Sequence, residues 1–216
     1  MSEFLPPPDR SRFRSLRDGD VYRLKAPERL ARVFATKGPY PTTWDAMREY
    51  GPLPSGRFDH QQPGSPGRGI WYGSVSKLAE GQPANAVTGA LAEACADTHV
   101  VDRSARGRSL VILEPIRPLK LLRLDSSWLS AAQGNASIAS GPRNTAQEWS
   151  RAVYEHYPTI DGVYFRSSNH PPSGCVALYE RAVDALVSAS LLMRLDNPGL
   201  LPYLQDSGED LGWPLA

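Results

Sequence analysis

Ser109-Leu110-Val111-Ile112-Leu113-Glu114, a break from Pro115 to Pro118, and Leu119-Lys120-Leu121-Leu122-Arg123-Leu124 form the stretch that separates the candidate fold classes. Both runs are short, apolar and bounded by proline, so they read as two successive strands with no room for a crossover helix. Outward from them, Val21-Tyr22-Arg23-Leu24, Gly69-Ile70-Trp71-Tyr72-Gly73-Ser74, Asp161 to Arg166 and Gly174 to Tyr179 read as further strands. Helical spacing is found over Pro27 to Phe34, over the Ala-rich Asn85 to Ala96, and behind cap residues Asp125 to Ser127. It recurs through Trp149, Val153 and Tyr157 after a cap at Asn144 or Thr145, and over Arg181 to Leu195. About six strands and about five helices without strict alternation predict an α+β single domain, a mixed or antiparallel sheet flanked by helices, over a doubly wound fold.

Residues 1–19, Pro- and Arg-rich without periodicity, predict a flexible N-terminal arm, followed by one domain over 20–195 and a C-terminal tail over 196–216. Gly and Pro cluster between Gly38 and Gly69, which predicts a long loop, and long loops in compact domains are commonly functional. With 24 Lys+Arg against 23 Asp+Glu the net charge is +1, so the chain lacks the broad basic footprint of a nucleic-acid binder. Cys95 and Cys175 fall in apolar segments and are expected as small core residues in a reducing compartment. The opening lacks a basic start followed by an apolar run, and no run of about 18 apolar residues occurs, which predicts a cytoplasmic protein with no membrane partner.

Common catalytic signatures are missing. The sequence has no Gly-x-Gly-x-x-Gly at a strand-to-helix turn, no phosphate-binding loop ending in Gly-Lys-Ser/Thr, no His-Glu-x-x-His and no Gly-x-Ser-x-Gly. The four histidines and two cysteines lack the spacing of a zinc site, so no metal is expected. Gly134 to Gly141 is a small-residue loop that reads as a connection or as a backbone wrap for phosphate.

What remains is an ordered set: Gly56-Arg57-Phe58-Asp59, then Trp71-Tyr72-Gly73-Ser74, then Ala90-Leu91-Ala92-Glu93 on a helix, then Gly162-Val163-Tyr164-Phe165-Arg166-Ser167. This order resembles the RES family, marked by Gly-Arg-aromatic, a downstream Tyr, a helical Ala-x-x-Glu and a late strand ending in Ser. An early strand with an arginine, here Arg23, adds to the likeness. Departures are a long gap between Arg57 and Tyr72, with Gln61 to Arg68 looking inserted, and Phe165 where the family commonly has Tyr. Ser168 beside Ser167 leaves the serine open between the two. The resemblance implies a fold similar to ADP-ribosyltransferase toxins, degradation of NAD⁺ as substrate, no further cofactor, and an Xre-like antitoxin as partner.

The residue types suit that chemistry. NAD⁺ carries a good leaving group, so cleavage needs the dinucleotide held and the developing ribosyl cation stabilised; Glu93 supplies a carboxylate for the sugar. Arg57 and Arg23 offer planar donors for pyrophosphate, and Tyr72 an aromatic face and a hydroxyl for the nicotinamide riboside. Ser167 shares a strand face with Val163 and Phe165 and reads as a hydrogen-bonding residue, with His170 an outside candidate for its base. Water is the expected acceptor, giving a toxin that is an NAD⁺ glycohydrolase. Phosphate (an NAD⁺ phosphorylase) and a protein side chain (mono-ADP-ribosyltransfer) share the same first step. Leu91 stands two residues before Glu93, where protein-modifying transferases often carry Gln or Glu, which ranks that option lower. A non-catalytic interaction domain of the same fold is the rival from another class.

Overall fold

In a computed structural model, residues 4–64 and 66–216 are described. Eight strands form one sheet: β1 (Val21–Leu24), β2 (Leu30–Ala35), β3 (Ile70–Val75), β4 (Arg108–Leu113), β5 (Leu119–Arg123), β6 (Gly162–Arg166), β7 (Gly174–Tyr179) and β8 (Ala189–Arg194). Their order is β1-β5-β6-β7-β3-β2-β4-β8, with β5 and β6 parallel and all other neighbours antiparallel. The helices are α1 (Ala86–Ala94), α2 (Ser127–Ala131), α3 (Arg143–His156) and α4 (Leu201–Leu211). The domain is α+β, as the back-to-back runs around Pro115 and Pro118 predict.

Alternation distributes the strand side chains between cores. Val163 and Phe165 of β6 enter a core roofed by α2 and α3 around Trp128 and Trp149, while Tyr164 between them enters the opposite core with Trp71 and Leu113. A third core, built on Ala90, Leu91, Leu110 and Leu204, joins α1 and α4 to the β2–β4 end of the sheet.

Two expected helices are strands. Leu30 to Phe34 is β2, because Leu30 and Phe34 lie four apart and share a face in either a helix or a strand; the intervening Ala31 and Val33 face the other core. Pro27, read as a helix start, sits in a turn after a cis peptide bond. Arg181 to Leu195 divides into a 3-10 turn (Glu180–Ala185) and β8, which completes the ladder on β4; pairing there overrides the helix preference of Leu and Met. The helix α3 begins at Arg143 after Pro142, not behind a cap at Asn144 or Thr145.

The described part of the N-terminal segment is no loose arm. Leu5 and Phe13 are buried, and the Phe13 ring packs on Trp128 and Trp149 at centroid distances of 5.1 and 5.8 Å. The segment also supplies acceptors: Trp149 Nε1 donates to the Pro6 carbonyl at 2.8 Å and the Tyr157 hydroxyl to that of Arg14 at 2.7 Å. A buried indole N–H or phenol must find an acceptor, and an aperiodic strap provides its backbone. Residues 196–216 are likewise folded: α4 packs on α1, Thr88 Oγ1 donates to Ser207 Oγ at 3.0 Å inside that contact, and Val101 bridges to Leu215.

Phe13→Ala therefore acts as a core truncation. Urea unfolding should show a loss of about 3–5 kcal/mol, where a loose arm would show almost none.

Candidate active site

The cleft forms where the sheet splits. Strand β2 pairs with β4 at all six positions but with β3 at only Leu30↔Val75 and Ala31↔Ser74, so from Arg32 and Gly73 onward the two strands diverge. A cavity of about 490 Å³ opens there, lined by Arg32, Arg48, Arg57, Tyr72, Glu93, Arg143, Phe165 and Ser168 among others. Gly73 is tight: a Cβ would lie 2.3 Å from the Trp71 ring and 2.9 Å from the Ala31 carbonyl oxygen.

The motif Gly56-Arg57-Phe58-Asp59 is a turn folded over its own carboxylate. Asp59 is fully buried, and a Cβ on Gly56 would meet its Oδ1 at 2.1 Å, so glycine alone fits. The carboxylate accepts from Arg48 Nη2 at 2.6 Å, the Tyr72 hydroxyl at 2.7 Å and the Leu53 N–H at 2.8 Å. Tyr72 in turn accepts from the Phe58 N–H at 2.9 Å. Burial, then the adjacent Asp59 charge, push the Tyr72 phenol well above its ordinary range. Its hydroxyl, expected to reach a ribose, is thus committed to the protein, and the ring is what Tyr72 presents to the cleft.

Arg57 is half-buried and donates from Nη1 to the Gly141 carbonyl at 2.7 Å. Burial and the like charge of Arg143 lower its pKa, while Glu93 and Tyr72 act in the other direction. The loop Gly134 to Gly141 offers this carbonyl and not a phosphate wrap: the N–H groups of Ile138, Ala139, Ser140 and Gly141 are bonded within the loop.

Glu93 rides on the last turn of α1, which Asn85 caps by accepting from the N–H groups of Val87 and Thr88. Gly89 lets the helix lie directly on the sheet: a Cβ there would meet Ser74 Oγ at 2.1 Å and Ser173 at 2.9 Å. The Glu93 Oε1 accepts from Ser167 Oγ at 2.6 Å and from Asn169 Nδ2 at 3.2 Å. Buried Ser167 itself accepts from the N–H groups of Asn169 and His170 at 3.1 and 3.0 Å. It is Ser167, not the exposed Ser168, that holds the glutamate. The His170 ring faces Ser173 and Asp210, so it is not a base for Ser167.

Arg23 is not in the cleft. It lies on β1 at the far edge of the sheet, its side chain 55% exposed beside Asp18. The early-strand arginine that does line the cleft is Arg32. Its guanidinium lies 5.3 Å from the centroid of the Trp71 ring and donates to the carbonyl of Ala46 at 3.2 Å. Burial, then the neighbouring Arg48, lower its pKa to about 10, which leaves it charged at neutral pH. The signal was present in Arg29-Leu30-Ala31-Arg32-Val33-Phe34, an apolar run with β-branched and aromatic members, but a helical reading turns Arg32 outward.

Of the four cleft arginines, Arg48 alone is paired with a carboxylate; Arg32, Arg57 and Arg143 have no ion-pair partner among the described residues. No group of three or more His, Cys, Asp or Glu among them is arranged to hold a metal ion, and no helix is long and apolar enough to cross a membrane.

The class these features define is a single α+β domain with a strongly cationic cleft and one carboxylate at its edge. The chain belongs to the RES family: the RES domain model matches residues 29–196, a span that includes Arg32 and leaves out Arg23. No sequence among the curated proteins matches it. Among solved structures, a chain of the M. tuberculosis MbcT–MbcA toxin–antitoxin complex superposes with a TM-score of 0.54 at 12% identity, covering 91% of this chain and 96% of that one. At that identity the likeness establishes a shared fold.

Two tests follow from the supports of the cleft. Gly89→Ala, which helix propensity alone would favour by about 1 kcal/mol, should instead destabilise the protein by about 1–3 kcal/mol in urea because Ser74 and Ser173 occupy the space. His60, next to Asp59 and fully buried, has its pKa lowered by burial, with the Glu180 bond opposing and the Arg68 and Arg181 charges reinforcing. A depressed imidazole pKa favours folding above the ordinary value of about 6.5. Stability should therefore fall as pH drops below that value toward the folded pKa, with a shallower slope in His60→Gln.

Proposed function

We propose that this chain cleaves the nicotinamide–ribose bond of NAD⁺ with water as acceptor, acting as an NAD⁺-degrading toxin. The observation that carries the reading is the short bond from Ser167 Oγ to Glu93 Oε1 at the edge of a cleft with three unpaired arginines. It leaves Glu93 Oε2 without a partner among the described residues, oriented by Ser167 and Asn169 and open to a ribose hydroxyl. A negative group held beside the sugar favours the state in which the ring gains positive charge.

In this mechanism the C1′–N bond breaks and its electron pair leaves on nicotinamide, which becomes neutral. Water adds to C1′ and releases a proton, giving ADP-ribose. Arg32 and Arg57 hold the pyrophosphate oxygens, for which a planar guanidinium offers paired donors. Tyr72 contributes its ring as one wall beside the nicotinamide. Phosphate in place of water would give ADP-ribose 1-phosphate after the same first step.

An Xre-like antitoxin is the proposed protein partner, and the cytoplasm the proposed site of action; the fold likeness to a chain of a toxin–antitoxin complex supports the pairing. The loop from Gly38 to Gly69 contributes Arg48, Leu53, Ser55, Gly56 and Arg57 to the cleft wall, so a partner seated on it would close the entrance.

Purified protein should release nicotinamide from NAD⁺, and Glu93→Gln should cut the rate by about 100-fold or more while leaving the circular dichroism and melting temperature unchanged. Running the assay with and without phosphate and identifying the sugar product assigns the acceptor. Absence of release from the folded wild type would overturn the reading.

A further inference from the structure

An aromatic pair stands exposed beside the cleft. Tyr40 and Tyr50 stand 66% and 49% exposed, yet their rings face each other at a centroid distance of 5.9 Å and an interplanar angle of 29°. The contact leaves most of the apolar surface of both rings in water, a cost that a flat ligand stacked on them would relieve.

The pair is tied directly to the arginines of the cleft. The Arg48 guanidinium lies 5.5 Å from the Tyr50 ring centroid, and its own hydrogen bonds run to the Tyr50 carbonyl and to the Asp59 carboxylate. Asp59 holds Tyr72, so one connected set of contacts leads from the exposed rings to Tyr72 in the cleft wall. On the other side, Arg32 lies close enough to Arg48 and to the Tyr50 phenol for both to influence its charge equilibrium. The aromatic pair thus stands beside Arg48 and near Arg32, and Glu93 stands near Arg57.

We propose that Tyr40 and Tyr50 form the platform on which the purine of a dinucleotide stacks, with the pyrophosphate over Arg32 and the nicotinamide riboside at Glu93. This rests on the NAD⁺ reading and extends it, because it assigns the half of the ligand that does not react. A flat heterocycle next to a pyrophosphate needs an aromatic face beside cationic donors, and a stacking face accepts any purine. The platform makes the cleft favour a phosphate ligand that carries a purine over one that does not.

Binding rather than turnover tests it. Titration calorimetry with ADP and with inorganic pyrophosphate compares probes that share the phosphates and differ in the purine nucleoside. The wild type should bind ADP more tightly than pyrophosphate. The double variant Tyr40→Ala/Tyr50→Ala should lose about tenfold in ADP affinity and keep its pyrophosphate affinity. Tyr40→Phe/Tyr50→Phe should restore ADP binding, since the face and not the hydroxyl is needed. Equal weakening of both probes, no change for either, or no ADP binding by the wild type would overturn the proposal. The titration does not require catalysis, so wild type that binds ADP in this pattern but releases no nicotinamide would sink the hydrolase reading and leave the platform standing.

Discussion

The buried carboxylate of Asp59 organises this protein. A charge removed from water is tolerated only when its oxygens are fully bonded, and Asp59 meets the condition by drawing in Arg48, Tyr72 and the Leu53 N–H. Each partner comes from a different place: one early in the long loop, one on the central strand β3, one in the turn itself. The loop between β2 and β3, poor in regular structure, becomes a fixed wall because its conformation is dictated by one acceptor. Gly56 is part of the same constraint, since the carboxylate occupies the place of a side chain.

That wall faces a second rigid element. Gly89 brings α1 onto β3 and β7 at a distance only a missing Cβ allows, and the C-terminal helix α4 clamps α1 from outside. Glu93 consequently projects from a helix with little freedom to shift, and its carboxylate is fixed by a serine that is itself held by two backbone N–H groups. Between wall and helix the arginines face one another with a single carboxylate pair among them. There burial and the like charge of Arg143 both lower the Arg57 pKa.

Much of the site was legible from residue order. Arg57, Tyr72, Glu93 and Ser167 lie far apart in the chain, and the structure brings the first three to one cleft, with Ser167 and not Ser168 on the glutamate. Arg32 was missed because Pro27 to Phe34 reads as a helix, and Arg23, taken as the early-strand arginine, lies on the edge strand β1, which only sheet order reveals. The role of the Tyr72 hydroxyl was misread for a related reason: a side chain's partners depend on what packs behind it, and Asp59 is thirteen residues away on a different element.

Local pattern determined the α+β class, the back-to-back β4 and β5, the helix α1, and the chemical types at the site, since alternation, proline boundaries and helical spacing act over a few residues. Tertiary structure decided the rest. Leu30 and Phe34 satisfy helical and strand periods equally, and pairing with β4 along six positions settles the choice. The aperiodic stretch from Leu5 to Arg14 is ordered because the Trp149 donor on α3 and the Tyr157 donor just after it need its carbonyls, and Trp128 on α2 packs on its Phe13 ring. Neither demand can be seen from inside the segment that answers it, because the energy comes from contacts distant along the chain.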